Sequence, residues 1–112
     1  VRLNPASPFV AAVLEIVDSI PAGRVMTYGD IAATLGSRAA RVVGQTMAQF
    51  GSESPWWRVV RAGGHPPVGH EKRALGHYRS EHTPLLLPAD PASGYRVDLG
   101  RARWSPDPVR EP

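Results

Sequence analysis

The chain has 112 residues, 42% of them hydrophobic and 21% charged, enough for one domain with a modest core and too few for a multidomain machine. Thirteen basic against ten acidic residues leave a net charge of +3, and every base but Lys72 is an arginine, whose planar fork suits phosphate; a solvated basic face gives the same balance. The absence of cysteine excludes disulfides, thiolate metal sites and thiol nucleophiles together, and no run approaches the ~18 apolar residues of a membrane span.

Ser7 and Pro8 mark the first helix start, Ser7 as N-cap and Pro8 at the first helical position, where its missing N–H costs nothing. Phe9, Val10, Val13, Leu14, Ile16, Val17 and Ile20 then follow helical spacing and form a broad apolar face for a core. Pro21-Ala22-Gly23 ends that helix, Arg24-Val25-Met26 is a short extended link, and Thr27 caps a second helix through Leu35 that Gly36 breaks. Ser37 is expected to cap a third helix running to about Phe50. Gly44 inside it costs ~1 kcal/mol relative to alanine, which points to a close approach by something else. Two short helices joined at Gly36, the second carrying Arg38, Arg41 and Gln45 among small residues, fit either a plain helical hairpin or a helix-turn-helix.

Gly51 to Pro55 reads as a loop, Trp56 to Arg61 as an extended run, Ala62 to Pro67 as another loop, and Glu71 to Glu81 as a helix. From Pro84 to Pro112 the prolines make the chain mostly irregular, relieved by a strand or hairpin at Tyr95 to Leu99 and Arg101 to Trp104. One domain over residues 1–104 is expected, with 105–112 as a disordered tail. The opening Val1 to Pro5 lacks the apolar region of a signal peptide, so a cytoplasmic protein without membrane contact is expected.

His65, His70, His77 and His82 place no pair at the i, i+4 separation of two ligands on one helical face, and no cysteine supports them, so no metal is expected. No Gly-rich phosphate loop precedes a helix, and Ser52, Ser54 and Ser80 sit in no nucleophile turn, so no cofactor is expected either. An extended run would point adjacent Trp56 and Trp57 to opposite faces. One ring then belongs to the core while the other lines a pocket or stacks on a planar ligand, unless both pack the core and its rim.

Three segments in order resemble the DNA-binding domain of the O6-alkylguanine-DNA alkyltransferases, and within that family the alkyltransferase-like proteins. They are Ile20-Pro21-Ala22-Gly23-Arg24-Val25-Met26-Thr27-Tyr28-Gly29-Asp30-Ile31-Ala32, then Ser37-Arg38-Ala39-Ala40-Arg41-Val42-Val43-Gly44-Gln45-Thr46-Met47, then Pro55-Trp56-Trp57-Arg58-Val59-Val60. The resemblance implies an α+β, mainly helical fold, a winged-helix-like helix-turn-helix of the alkyltransferase C-terminal type. True alkyltransferases carry Pro-Cys-His-Arg where this chain has Pro55-Trp56-Trp57-Arg58, so the alkyl-accepting cysteine and its activating histidine are both replaced. Tryptophan in the cysteine position resembles the branch that binds alkylated guanine without repairing it and hands the lesion to nucleotide excision repair.

The resemblance also distributes roles. Ala40, Val42 and Gly44 would let the second helix of the motif lie in the minor groove. Arg41 matches the arginine that fills the gap left by a flipped nucleotide, and Tyr28 the tyrosine that presses on the neighbouring phosphate. Thr27 and Gln45 would contact phosphate or sugar, and the flipped base would enter a pocket of Tyr28, Met47, Trp56 and Val59. The implied partners are duplex DNA with alkylated guanine and the damage-recognition proteins of nucleotide excision repair. The implied state is a monomer, nucleoid-associated when bound. A sequence-specific helix-turn-helix regulator remains the alternative, and an enzyme with an unsuspected histidine or glutamate nucleophile a further one.

Overall fold

The computed structural model describes residues 4–90 and 94–106. Helix α1, Pro8–Ser19, starts as its sequence dictates: the Ser7 hydroxyl accepts the Phe9 N–H at 3.2 Å, and Pro8 takes the first position. Its buried stripe is Val10, Val13 and Val17, continued by Ile20 beyond the end. Strand β1, Met26–Thr27, runs into α2, Tyr28–Thr34, through a capping box in which Thr27 Oγ1 accepts the Asp30 N–H at 3.0 Å and Asp30 Oδ2 accepts the Thr27 N–H at 3.1 Å. Gly36, at φ 69°, ends the motif's first half in the left-handed region.

The third helix begins later than expected. Helix α3 spans Ala40–Phe50, and the Ser37 hydroxyl accepts the Ala39 N–H at 2.9 Å, closing a turn instead of capping the helix. Ala39, at φ −87° and ψ 57°, is not helical, so residues 37–39 form the bend of the helix-turn-helix.

A second difference lies at Trp56–Arg58, which winds into a 3₁₀ turn; only β2, Val59–Val60, is extended. β2 pairs in parallel with β1, Met26 opposite Val59 and Thr27 opposite Val60. Because strand side chains alternate, this short pair stands between two cores. Met26 and Val59 join Val13, Val17, Ile31 and Val43 on one side, while Val25 and Val60 join Ala74, Tyr78, Val97 and Ala102 on the other.

Helix α4, Glu71–Glu81, has the predicted bounds. A strand does form inside Tyr95 to Leu99, but Arg101 to Trp104 is not its hairpin partner. Strands β3, Leu85–Leu86, and β4, Arg96–Val97, pair antiparallel, and Leu99–Ala102 is a single helical turn, α5. Arg103 bridges to Val25 in parallel, with Val25 N–H donating to Ala102 O at 3.0 Å and Trp104 N–H to Val25 O at 2.9 Å. The residue before β1 carries polar backbone groups that need partners, and the returning chain supplies them. Gly64, at φ 91°, is where β4 passes closest: a Cβ there would collide with the Val97 carbonyl. Residues 107–112, most of the expected tail, lie outside the described residues. The architecture is α+β and mainly helical, and no helix among the described residues is long and apolar enough to cross a membrane.

Candidate nucleic-acid interface and base pocket

A cleft of about 380 Å³ opens beside the helix-turn-helix. Tyr28 enters it from the first turn of α2, Gly44, Met47 and Ala48 from one face of α3, Trp56 from the 3₁₀ turn, and His70 and Arg73 from the start of α4, with Pro67 and Val68 on the connecting loop. Tyr28, Met47 and Trp56, three of the four residues expected in a base pocket, thus line one cleft. Val59 does not belong with them. It is fully buried in the first core opposite Met26, because it is the strand residue whose side chain turns inward.

Gly44 answers the expectation of a close approach in an unexpected way. A Cβ added there would meet no atom within 4 Å, so the bare helix face is open to the cleft and not pressed against another element. Arg41 is exposed, as is Arg38 in the bend, and neither takes part in the two ion pairs found among the described residues. Ala40, Val42 and Gln45 are half-buried along α3. Thr27 differs: at 7% exposure, with its hydroxyl oxygen accepting from Asp30, it serves the fold, and the geometry does not carry its expected phosphate contact. Burial raises the Tyr28 hydroxyl above its ordinary range, partly offset by the charge of Arg61, so the group stays a neutral donor at physiological pH.

The tryptophans do not face opposite ways. In a 3₁₀ turn successive side chains project roughly a third of a turn apart, and the two rings meet edge to face, 5.6 Å between centroids at 89°. Their environments still separate. The Trp56 ring lies in the cleft wall with Arg73 5.2 Å from its centroid, and its indole N–H has no hydrogen bond among the described residues. Trp57 is turned to α4, where its ring stacks on His77 at 3.7 Å and 6° and its N–H donates to Glu81 Oε2 at 3.0 Å.

Glu81 is the anchor of this corner. Its carboxylate accepts Arg58 Nε at 3.1 Å and Arg58 Nη2 at 2.6 Å, the Gly23 N–H at 3.1 Å and the Trp57 N–H. Tyr78 reinforces the turn by donating its hydroxyl to the Trp57 carbonyl at 2.6 Å.

Sequence reasoning missed His70 and Arg73, which also bond each other, Arg73 Nη2 to His70 Nδ1 at 2.8 Å. The available signal was spacing: His70, Arg73 and His77 recur at intervals of three and four, which on a helix puts them on one face. Among the described residues no group of three or more histidine, aspartate or glutamate side chains is placed to hold a metal.

The family model for the 6-O-methylguanine DNA methyltransferase DNA-binding domain matches residues 8–82. The chain is 35% identical to the DNA base-flipping protein of Escherichia coli K12, with 93% of this chain and 80% of that protein covered. It is 42% identical to alkyltransferase-like protein 1 of Schizosaccharomyces pombe, over 88% of this chain and 95% of that one. The fold is similar to the crystal structure of S. pombe Atl1 in complex with damaged DNA containing O6-carboxymethylguanine, with a TM-score of 0.76 and 30% identity over 95% of this chain and all of the other. A second structure of the S. pombe protein with DNA has a TM-score of 0.74 at 30% identity.

Proposed function

The chain belongs to the family of the 6-O-methylguanine DNA methyltransferase DNA-binding domain, and from that premise we propose that it binds O6-alkylguanine in duplex DNA, flips the nucleotide and transfers nothing. The observation that carries this reading is Trp56 lining the same cleft as Tyr28 and Met47 of the helix-turn-helix, in a chain without cysteine. The indole lone pair is delocalised in the ring, so Trp56 is no nucleophile toward an alkyl carbon. Its face offers a stacking surface and its free N–H a donor to the modified oxygen.

In this account α3 docks in the minor groove, where the open face at Gly44 lets the DNA approach. Arg41, exposed near the start of α3, fills the gap in the stack, and Tyr28 presses on the adjoining phosphate. Flipping costs a few kcal/mol and less for a base with weakened pairing, which is one source of selectivity. A protein that holds a lesion without removing it serves repair by marking it, and nucleotide excision repair is the route that takes over.

After incubation with a duplex carrying O6-methylguanine, mass spectrometry should find the protein mass unchanged; a stoichiometric methyl increment would overturn the non-catalytic reading. Arg41→Ala should weaken binding to the same duplex by roughly 1–3 kcal/mol. A fluorescent base analogue at the flipped position reads the extrusion itself. Undiminished extrusion with Arg41→Ala would remove the finger role from that residue.

A further inference from the structure

The cleft wall formed by Trp56 is held from behind by rings that do not line the cleft. Trp57 and His77 lie parallel within 6° at 3.7 Å and act as one two-ring slab. Trp56 stands upright against both members of it, 5.6 Å and 89° from Trp57 and 5.6 Å and 84° from His77. Edge-to-face contacts of this kind fix a relative ring orientation, because the positive ring edge meets the negative face. The slab is itself pinned by the Trp57 N–H to Glu81 and by Tyr78 to the Trp57 carbonyl. Within it, only the imidazole of His77 lacks such a tether and is held through its stack.

We propose that His77 is a positioning residue for lesion recognition: stacked on Trp57, it completes the slab that sets the orientation of Trp56 in the cleft. This rests on the reading of the cleft as the base pocket. Without the imidazole, one face of Trp57 is uncovered and Trp56 loses one of its two edge contacts, keeping the one with Trp57 and a tilted contact with His70 at 5.5 Å. A ring held on fewer sides offers the flipped base a less fixed surface. Unmodified duplex, held through the helix-turn-helix and phosphates, does not call on this ring, so the loss falls on discrimination and not on general DNA binding.

The test uses His77→Leu, which keeps apolar bulk without a ring, and His77→Phe, which restores one. Two quantities are read on the full chain: the affinity ratio for matched duplexes with and without O6-methylguanine, and the order parameter of the Trp56 indole N–H by ¹⁵N relaxation in the free protein. His77→Leu should lower the ratio about two- to tenfold, the range of one aromatic pair, and lower the order parameter. His77→Phe should return both toward the parent values. If His77→Leu melts below the working temperature, His77→Gln carries the same expectation. An unchanged ratio and order parameter in the folded variant, or a His77→Phe protein as impaired as His77→Leu, overturns the proposal. If the parent protein itself does not discriminate, the lesion reading fails, and the order parameter alone then decides whether His77 orders Trp56.

Discussion

Glu81→Ala should lower folding stability by roughly 3–5 kcal/mol, the cost of removing one partner from a substantially buried pair. The side chains of Arg58 and Glu81 are 18% and 12% exposed, so the guanidinium left behind recovers little hydration. The same carboxylate accepts from Gly23 and Trp57, so its loss releases the turn after α1 and the tryptophan turn together. Arg58 would keep only its bond from Nη1 to the Ile20 carbonyl at 2.9 Å. Burial alone would raise the Glu81 carboxyl, but hydrogen bonds from Arg58, Gly23 and Trp57 and the charge of Arg58 outweigh it and hold the group below its ordinary value.

A depressed folded value means stability is fully present above the unfolded pKa of ~4.3 and is lost as pH falls through the folded one. Thermal melts should therefore decline below about pH 4.3, and Glu81→Ala should show a shallower decline. Asp30 supplies a remainder of the same sign: burial would raise its carboxyl, yet its bonds with Arg103 and Thr27 lower it. Urea unfolding of the parent and variant checks the main effect. A loss under about 1 kcal/mol would class the pair with exposed ones.

Affinity for duplex DNA should fall steeply with salt. Neutralising about five phosphates releases enough counterions for a loss of roughly 500-fold between about 50 and 200 mM salt. Arg38, in the bend before α3, is exposed and outside the observed ion pairs, free to meet a phosphate, and Arg38→Ala should reduce the slope by about one contact. Titrations across that range measure it. A nearly flat dependence would argue for a protein partner on this basic face.

Where the sequence could be read correctly, the signals were local. Ser7 and Pro8, the Thr27 cap and the bounds of Glu71–Glu81 each depend on residues within a turn of one another. Ser37 misled because a hydroxyl bonded two residues on serves a bend as readily as a cap. β3, two residues long, leaves no periodicity to detect, and it pairs across a long connection with β4, inside the strand read at Tyr95 to Leu99. Alternation in an assumed strand gave the tryptophans opposite faces. The 3₁₀ turn removed that premise while Glu81 and His77, on α4, still drew Trp57 out of the cleft. Val59 was assigned to the pocket by resemblance alone, and its strand register buries it. Tyr28, Met47 and Trp56 were legible through the resemblance; His70 and Arg73 reach the cleft from α4, which only the folded chain brings there.

Recognition of the lesion itself is tested most directly by matched duplexes of one sequence, with guanine or O6-methylguanine at one position. Equilibrium titration at fixed salt should give tighter binding to the modified duplex, and the preference should persist when the flanking sequence is changed. Equal affinity for both duplexes, or a preference for one unmodified sequence over the lesion, would contradict the account and favour a sequence-specific regulator.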